Sequence, residues 1–351
     1  MSKRILILLC SVTLILGGCG NTRSLERART STFTLWNPCA SLTALQEYVA
    51  DVTNPASPNF IQEPDRIATF DMDGTILGEL YPTYFEYNLL EYRGLDDPSY
   101  QAPDDVKAAA QAIRDFVRDG KALPEGFELI HARAAAKAYS GMSVAEFDAY
   151  VKAYAATPVN GFTGMTYAQS FYKPMLEVFN YLKDNGFTYY IVSGSDRFIA
   201  RALVSAIGID PQYVIGMDVT LQTSGQGSVP GVEYTMEKEE DVVRADQLII
   251  KNVKTNKVFQ ISQEIGKVPV LSFGNSTGDC AMHNYCLGSS RYKCAAFMLI
   301  ADDPDRDHAN RQKALDLAEK WRSAGYHVIS MRDDFKTIYG YGVQKVPFRY
   351  Q

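Results

Sequence analysis

The sequence has no basic excess, no apolar run of bilayer length, no internal repeat and no low-complexity segment. Lys and Arg total 35 against 41 Asp and Glu, a formal charge of −6. Such a surface does not attract nucleic acid or anionic lipid, which disfavours both as partners. A bilayer span needs ~20 apolar residues, and the apolar run near the N-terminus, Ile5 to Leu16, is shorter. Cysteine is sparse, at six residues. The stretch "CAMHNYCLGSSRYKC" sets His283 among Cys280, Cys286 and Cys294, but its C-x2-H-x2-C-x7-C spacing fits no common structural zinc site. What remains is ordinary globular material, 46% apolar and 22% charged. Its 351 residues can bury one large domain or two moderate ones.

The N-terminus reads as a targeting segment. "MSKRILILLCSVTLILGGCG" carries Lys3 and Arg4, then the apolar run, then small residues. Leu16-Gly17-Gly18-Cys19 resembles a bacterial lipobox, which implies a signal peptide over residues 1–18 and diacylation of Cys19. A plain signal peptide or an uncleaved anchor is the alternative. Loss of Lys3 and Arg4 would deepen the charge from −6 to −8. The lipid would hold the protein outside the cytoplasmic membrane and would be its one membrane contact. Residues 19–40 then form a tether, most polar from Asn21 to Thr32. Cys39, Cys280, Cys286 and Cys294 are left as disulfides or buried thiols.

Beyond the tether, "SLTALQEYVADV" has helical spacing. Arg66 to Phe70 is a short buried strand, and from about Leu80 to Tyr167 the pattern is helical with Gly and Pro breaks. Strand and helix then alternate to the C-terminus. Two strand-like runs between Val214 and Met236 are joined by "TSGQGSVPG" and form a hairpin excursion. This order predicts an α/β fold, a parallel sheet with helices on both faces. The core would comprise residues 41–79 and 168–351, and residues 80–167 would form a helical cap inserted between the first two strands. In such sheets ligands sit at the carboxyl ends of the strands.

The polar residues collect at those ends. In "RIATFDMDGTI", Asp71 and Asp73 lie two apart and point the same way on an extended chain. Two bare carboxylates there repel and raise each other's pKa. A hard divalent cation such as Mg²⁺, which takes oxygen ligands, removes that conflict. One carboxylate can then attack phosphorus while the other handles the leaving-group proton. Gly74 would let the backbone approach a phosphate and Thr75 would donate to it. "YYIVSG" ends in Ser193 and Gly194, suited to a phosphoryl oxygen. Lys257 opens a helix and would balance charge between nucleophile and phosphate, with Lys251 and Lys254 as competitors. "VLSFGNSTGD" brings Asn275 and Asp279 to a third strand end, where they would complete the metal site.

Phe70-Asp71-Met72-Asp73-Gly74-Thr75, Ser193-Gly194, Lys257 and Gly274-Asn275 through Asp279 resemble the four motifs of the haloacid dehalogenase superfamily. The inserted helical cap is similar to its phosphoserine-phosphatase-like branch. The C-terminal "GYHVISMRDDFKTIY" is similar to exported or lipid-anchored hydrolases of the superfamily. The resemblance implies a Rossmann-like core. It makes Asp71 the nucleophile that forms an aspartyl-phosphate, and Asp73 the general acid and then base, its backbone carbonyl on Mg²⁺. Ser193, the Gly194 amide and Lys257 would hold the phosphoryl group. Phosphoserine phosphatases have Gly-Asp where this chain has Gly274-Asn275, one negative charge fewer on the metal; Asp279 would bind it directly or through water. Glu79, one residue displaced from the amine-binding Glu of those enzymes, would contact a cationic substrate or start the cap helix. The function expected is Mg²⁺-dependent hydrolysis of a small phosphorylated metabolite. The alternative is a lipoprotein of the same fold that binds a phosphorylated ligand without turnover.

Overall fold

The computed structural model describes residues 33–79 and 82–350. The signal peptide, Cys19, the Asn21–Thr32 tether and the first cap residues, Leu80 and Tyr81, lie outside them. From Phe33 onward the chain is packed rather than tethered. Trp36 is buried, its indole N–H donates to the Pro174 carbonyl at 3.0 Å, and the Thr34 backbone N–H binds Glu177 at 3.0 Å. The expectation of a tether reaching residue 40 is therefore corrected at its end, because an indole with a carbonyl partner gains more by burial than by solvation.

Helix α1 (Ala40–Thr53) turns Leu42, Leu45, Val49 and Val52 inward at three- and four-residue spacing. Strand β1 (Ile67–Phe70) follows, buried at every position, as a central parallel strand must be. Four helices come next: α2 (Phe85–Leu95), α3 (Asp104–Asp119), α4 (Phe127–Ala138) and α5 (Val144–Ala155). Ser143 and Glu146 close a capping box at the start of α5. The chain then forms β2 (Phe162–Thr163), α6 (Lys173–Asp184), β3 (Thr188–Asp196), α7 (Arg197–Val204), β4 (Val214–Thr223) and β5 (Val242–Ile250). It continues through α8 (Thr255–Glu264), β6 (Leu271–Gly274), α9 (Cys280–Leu287), β7 (Ala295–Ile300) and α10 (Arg311–Ser323). It ends in β8 (His327–Ser330), α11 (Met331–Asp334) and β9 (Gln344–Lys345), the last paired with β2.

The main sheet has seven strands in the order β5-β4-β3-β1-β6-β7-β8, all parallel except β5. The α/β expectation is met. Phe70, Phe273 and Phe297 stack across β1, β6 and β7, with centroids 4.3 and 5.1 Å apart, and tie the strands whose exits carry the polar motifs. The strand order places those of β3, β1 and β6 side by side.

The hairpin excursion is real, but its second strand is Val242–Ile250, not the run ending at Met236. Gly231–Glu233 is a short 3-10 turn and Val232 is 95% exposed, so that apolar text has nothing to pair with. β5 escapes a hydrophobicity reading because it carries Arg244, which is fully buried. It also grips the helical block: Gly141 N–H donates to the Arg244 carbonyl at 2.8 Å, and Arg244 N–H donates to Met142 O at 2.9 Å. Among the described residues, no helix is long and apolar enough to cross a membrane. Cys39, Cys280, Cys286 and Cys294 are free thiols, with Cys286 buried.

Candidate active site

Asp71 leaves β1 with its N–H donating to Phe273 O at 2.9 Å, so its backbone is still held by β6. The chain then tightens. The N–H groups of Thr75, Ile76 and Leu77 all donate to Met72 O, and the Gly74 N–H donates to Leu77 O at 2.6 Å. This turn requires glycine at position 74 twice over. Its φ is +78°, and a Cβ there would sit 1.8 Å from Asn275 Nδ2 and 2.6 Å from Glu79 Cδ. The need for Gly74 thus lies in how closely Asn275 and Glu79 approach.

Lys257, on the first turn of α8, places Nζ 2.5 Å from Asp71 Oδ1 and 2.7 Å from Asp279 Oδ1. All three side chains are buried. The other Asp279 oxygen, Oδ2, accepts from the backbone N–H groups of Asn275 (3.1 Å) and Ser276 (3.0 Å). Gly274 makes room for that fold-back, since a Cβ on it would meet Asp279 Cβ at 2.5 Å. Both Asp279 oxygens are thus committed to the lysine and the loop. Of the three candidate lysines, Lys257 reaches Asp71, while Lys251 binds Glu86 of α2 at 2.8 Å. Lys254 begins α8 at φ +54°, the one positive value at a non-glycine residue among those described.

The Thr75 hydroxyl lies 3.3 Å from Asp71 Oδ2 and 3.5 Å from Asn275 Oδ1, so those oxygens face one spot. The Asn275 amide also binds the Glu79 carboxyl, which sits against Gly74. Asp73 receives the Ser195 hydroxyl on Oδ2 at 2.8 Å, and its Oδ1 is buried without a partner. Ser193 lies deeper than its expected role suggests. It is fully buried, its Oγ accepts from Ser195 N–H at 3.0 Å, and Asn252 Nδ2 donates to its carbonyl at 2.9 Å. Gly194 and Ser195 line the cavity wall in its place.

That cavity, of about 270 Å³, is lined on the side of the helical block by Tyr84, Glu86, Tyr87 and Glu128. Carboxylates dominate it: Asp71, Asp73, Glu79, Glu86, Glu128 and Asp279 face Lys251, Lys254 and Lys257. The imbalance shows in the proton affinities. Burial, then the Asp279 charge, raises Asp71 to about 7 against the opposing pull of Lys257. Burial raises Asp73 to about 6, with Glu86 adding to it and Ser195 opposing. Burial, then Asp73 and Asp71, raises Glu79 to about 8. Burial works against charge on Asp279 and Lys257 too, but their mutual attraction outweighs it, lowering Asp279 and raising Lys257. A divalent cation fits here, because the surplus charge is negative and the Asp71 and Asn275 oxygens converge. Among the described residues no three His, Cys, Asp or Glu side chains cluster closely enough to hold a metal alone. A cation bound here would draw on backbone and amide oxygens as well.

Residues 68–251 match the haloacid dehalogenase-like hydrolase family, more than half of the chain. The chain belongs to that family. A conserved protein of unknown function from Anaerococcus prevotii DSM 20548 has a similar structure, with 17% identity, 86% of this chain and 94% of that chain covered, and a TM-score of 0.51. A phosphoserine phosphohydrolase-like protein from Francisella tularensis subsp. tularensis SCHU S4 aligns at 12% identity over 75% of this chain and 94% of its own, TM-score 0.40. Cytosolic 5'-nucleotidase IIIB bound to cytidine aligns at 13% identity over 85% and 86%, TM-score 0.47. No curated protein matches the chain. In this haloacid dehalogenase-like hydrolase, Asp71, Ser193 and Asn275 lie at the carboxyl ends of the neighbouring strands β1, β3 and β6, and Lys257 lies at the start of α8.

Sequence reasoning missed three residues of this site. Ser195 has the signal that strand parity sends it to the same side as Ser193. Glu86 and Glu128 are acids on helix faces that the sequence alone leaves solvated; the placement of the helical block over the sheet buries Glu86 and leaves Glu128 exposed at the cavity rim.

Proposed function

We propose that this hydrolase cleaves a small phosphomonoester through an aspartyl-phosphate on Asp71, with Mg²⁺ in the site. The observation that carries the reading is the Asp71 carboxylate, held between Lys257 and Thr75, beside the unpartnered Oδ1 of Asp73. Asp71 supplies the nucleophilic oxygen. Lys257 favours its ionised form and neutralises charge arriving with the phosphoryl group. Asp73 gives a proton to the leaving oxygen and later takes one from the attacking water. The Gly194 backbone lines the phosphoryl pocket, and Ser193 shapes the loop beneath it. Asp71, the Asp73 carbonyl and Asn275 would hold the cation, with Asp279 positioning Lys257 and the loop. When bound, the cation draws charge from the phosphoryl oxygens.

The cavity volume limits the substrate to a small molecule. Its wall disfavours an anionic leaving group: once Glu86 is set against Lys251, and Asp71 and Asp279 against Lys257, Asp73, Glu79 and Glu128 remain on the wall against Lys254. A neutral or ammonium-bearing alcohol is the better match, which Glu79 and Tyr84 would meet. The lipobox-like Cys19 supports a lipid-anchored, extracytoplasmic location in a bacterial envelope. The test is phosphate release from p-nitrophenyl phosphate and a panel of alkyl phosphates with Mg²⁺, against Asp71→Asn. Release by the wild type and none by the variant is the expected result. A wild type as inert as the variant across the panel contradicts the reading and favours ligand binding without turnover.

A further inference from the structure

We infer that Ser195 is the positioning residue for the acid–base carboxylate: its hydroxyl pins Asp73 Oδ2 and leaves Oδ1 turned toward the leaving group. This rests on the phosphatase reading above.

The bond is 2.8 Å long, and both partners are buried. The backbone that carries Ser195 is held in place. Its N–H is tied to Ser193 Oγ at 3.0 Å, and the next residue is fixed on both sides. Asp196 N–H donates to Glu86 Oε2 at 3.2 Å, and its carboxylate accepts Arg244 Nη2 at 2.7 Å and Nη1 at 3.2 Å. Meanwhile Asp73 Oδ1 is buried with no partner. A buried carboxylate oxygen left bare is costly, and Asp73 is one of the residues lining the cavity, from which a substrate would supply the missing contact.

The choice of partner separates the two aspartates. Asp71 is paired with a lysine, which favours the anion a nucleophile must be. Asp73 is paired with a neutral hydroxyl, which orients the carboxyl in either protonation state. Oδ2 accepts from Ser195 as a carbonyl oxygen while Oδ1 carries the proton, and as a carboxylate oxygen after the proton has gone. In the first half-reaction Asp71 forms a bond to phosphorus and the bond from phosphorus to the leaving oxygen breaks. That oxygen keeps the electron pair and takes the Oδ1 proton of Asp73. In the second, Oδ1 takes a proton from water, the resulting hydroxide bonds to phosphorus, and the pair of the acyl-phosphate bond returns to Asp71. Ser195 gains and loses nothing in either.

The test exploits leaving groups. Nitrophenolate departs without a proton, whereas an alkoxide needs one, so kcat/KM for an alkyl phosphate depends on Asp73 orientation far more than that for p-nitrophenyl phosphate. Full general-acid catalysis contributes ~10²–10⁴-fold. Ser195→Ala should therefore lower kcat/KM for the alkyl ester by roughly 10–100-fold and for the aryl ester by less than about threefold. Ser195→Thr, which keeps the hydroxyl, should restore most of the alkyl activity, and Ser195→Gly repeats the alanine result if alanine fails to fold. A purely structural role lowers both substrates together. Equal losses on the two esters, or no loss on the alkyl ester in a folded variant, overturn the role of Ser195 while an active wild type leaves the phosphatase reading standing. An inert wild type overturns both.

Discussion

Arg244→Met should strand a buried charge. The Arg244 guanidinium is fully buried, bonds both oxygens of the buried Asp196, and lies 4.1 Å from the Phe147 ring centroid of the helical block. Methionine keeps much of the packing on Phe147 and removes the charge. Asp196 is then left in the interior with its local bond from Phe198 N–H, at 2.8 Å, and no cation on its carboxylate. Breaking a buried ion pair from one side costs about 3–5 kcal/mol. At the ~2–3 °C per kcal/mol of a large domain, the melting midpoint should fall by roughly 6–15 °C. Circular dichroism melts and urea titrations would read it. Removing the stranded charge as well, in Arg244→Met/Asp196→Asn, should recover most of the loss. Hydrogen exchange at Gly141 should quicken in the single variant, since its N–H is held by the Arg244 carbonyl. A single variant within 1 kcal/mol of wild type, or a double variant as unstable as the single, would refute the reasoning.

Further expectations concern the site and pH. Gly74→Ala forces a Cβ into Asn275 and Glu79 at a positive φ, and kcat should drop at least ~10²-fold for want of about an ångström of space; near-normal turnover would contradict this. Glu79→Gln weakens the hold on the Asn275 amide, and Mg²⁺ affinity by calorimetry should fall ~10-fold, as when outer-shell partners are lost. Unchanged Mg²⁺ affinity with a raised KM for ammonium-bearing substrates alone would assign Glu79 to the substrate instead. Asp307 is buried, which raises it to about 7 despite bonds from Tyr339 and His308. A carboxyl raised above its unfolded value near 3.8 lends most stability below pH ~4 and loses it as pH climbs through 7. Asp307→Asn should therefore gain on wild type between pH 4 and 7, by up to about 4 kcal/mol in urea titrations, and run parallel above. Parallel curves throughout would show that Asp307 ionises normally.

Legibility from sequence followed the kind of burial involved. β1, β3 and β6 are apolar runs that stop at polar residues, so the strands and the polar residues at their ends were legible, while the choice of Lys257 over Lys251 and Lys254 came only with the fold. β5 could not, because Arg244 makes it look solvated and the partner that permits burial, Asp196, is 48 residues away. The packing of Trp36 against Pro174 is likewise a long-range contact that local polarity hides. At the site, residue types were legible and their roles less so. Ser193 carries the hydroxyl expected at the phosphate, yet that hydroxyl turns back onto the chain and Ser195 faces the acid. Asp279 looked like a cation ligand, while its oxygens are taken by Lys257 and by the loop it folds against.

The central claim is the covalent intermediate on Asp71, and acid quenching during turnover tests it most directly. Wild-type protein turning over an alkyl phosphate with Mg²⁺ should carry a phosphoryl mass adduct on the peptide bearing Asp71, and Asp71→Asn should carry none. Sustained phosphate release without that adduct, or release that survives in Asp71→Asn, would contradict the account.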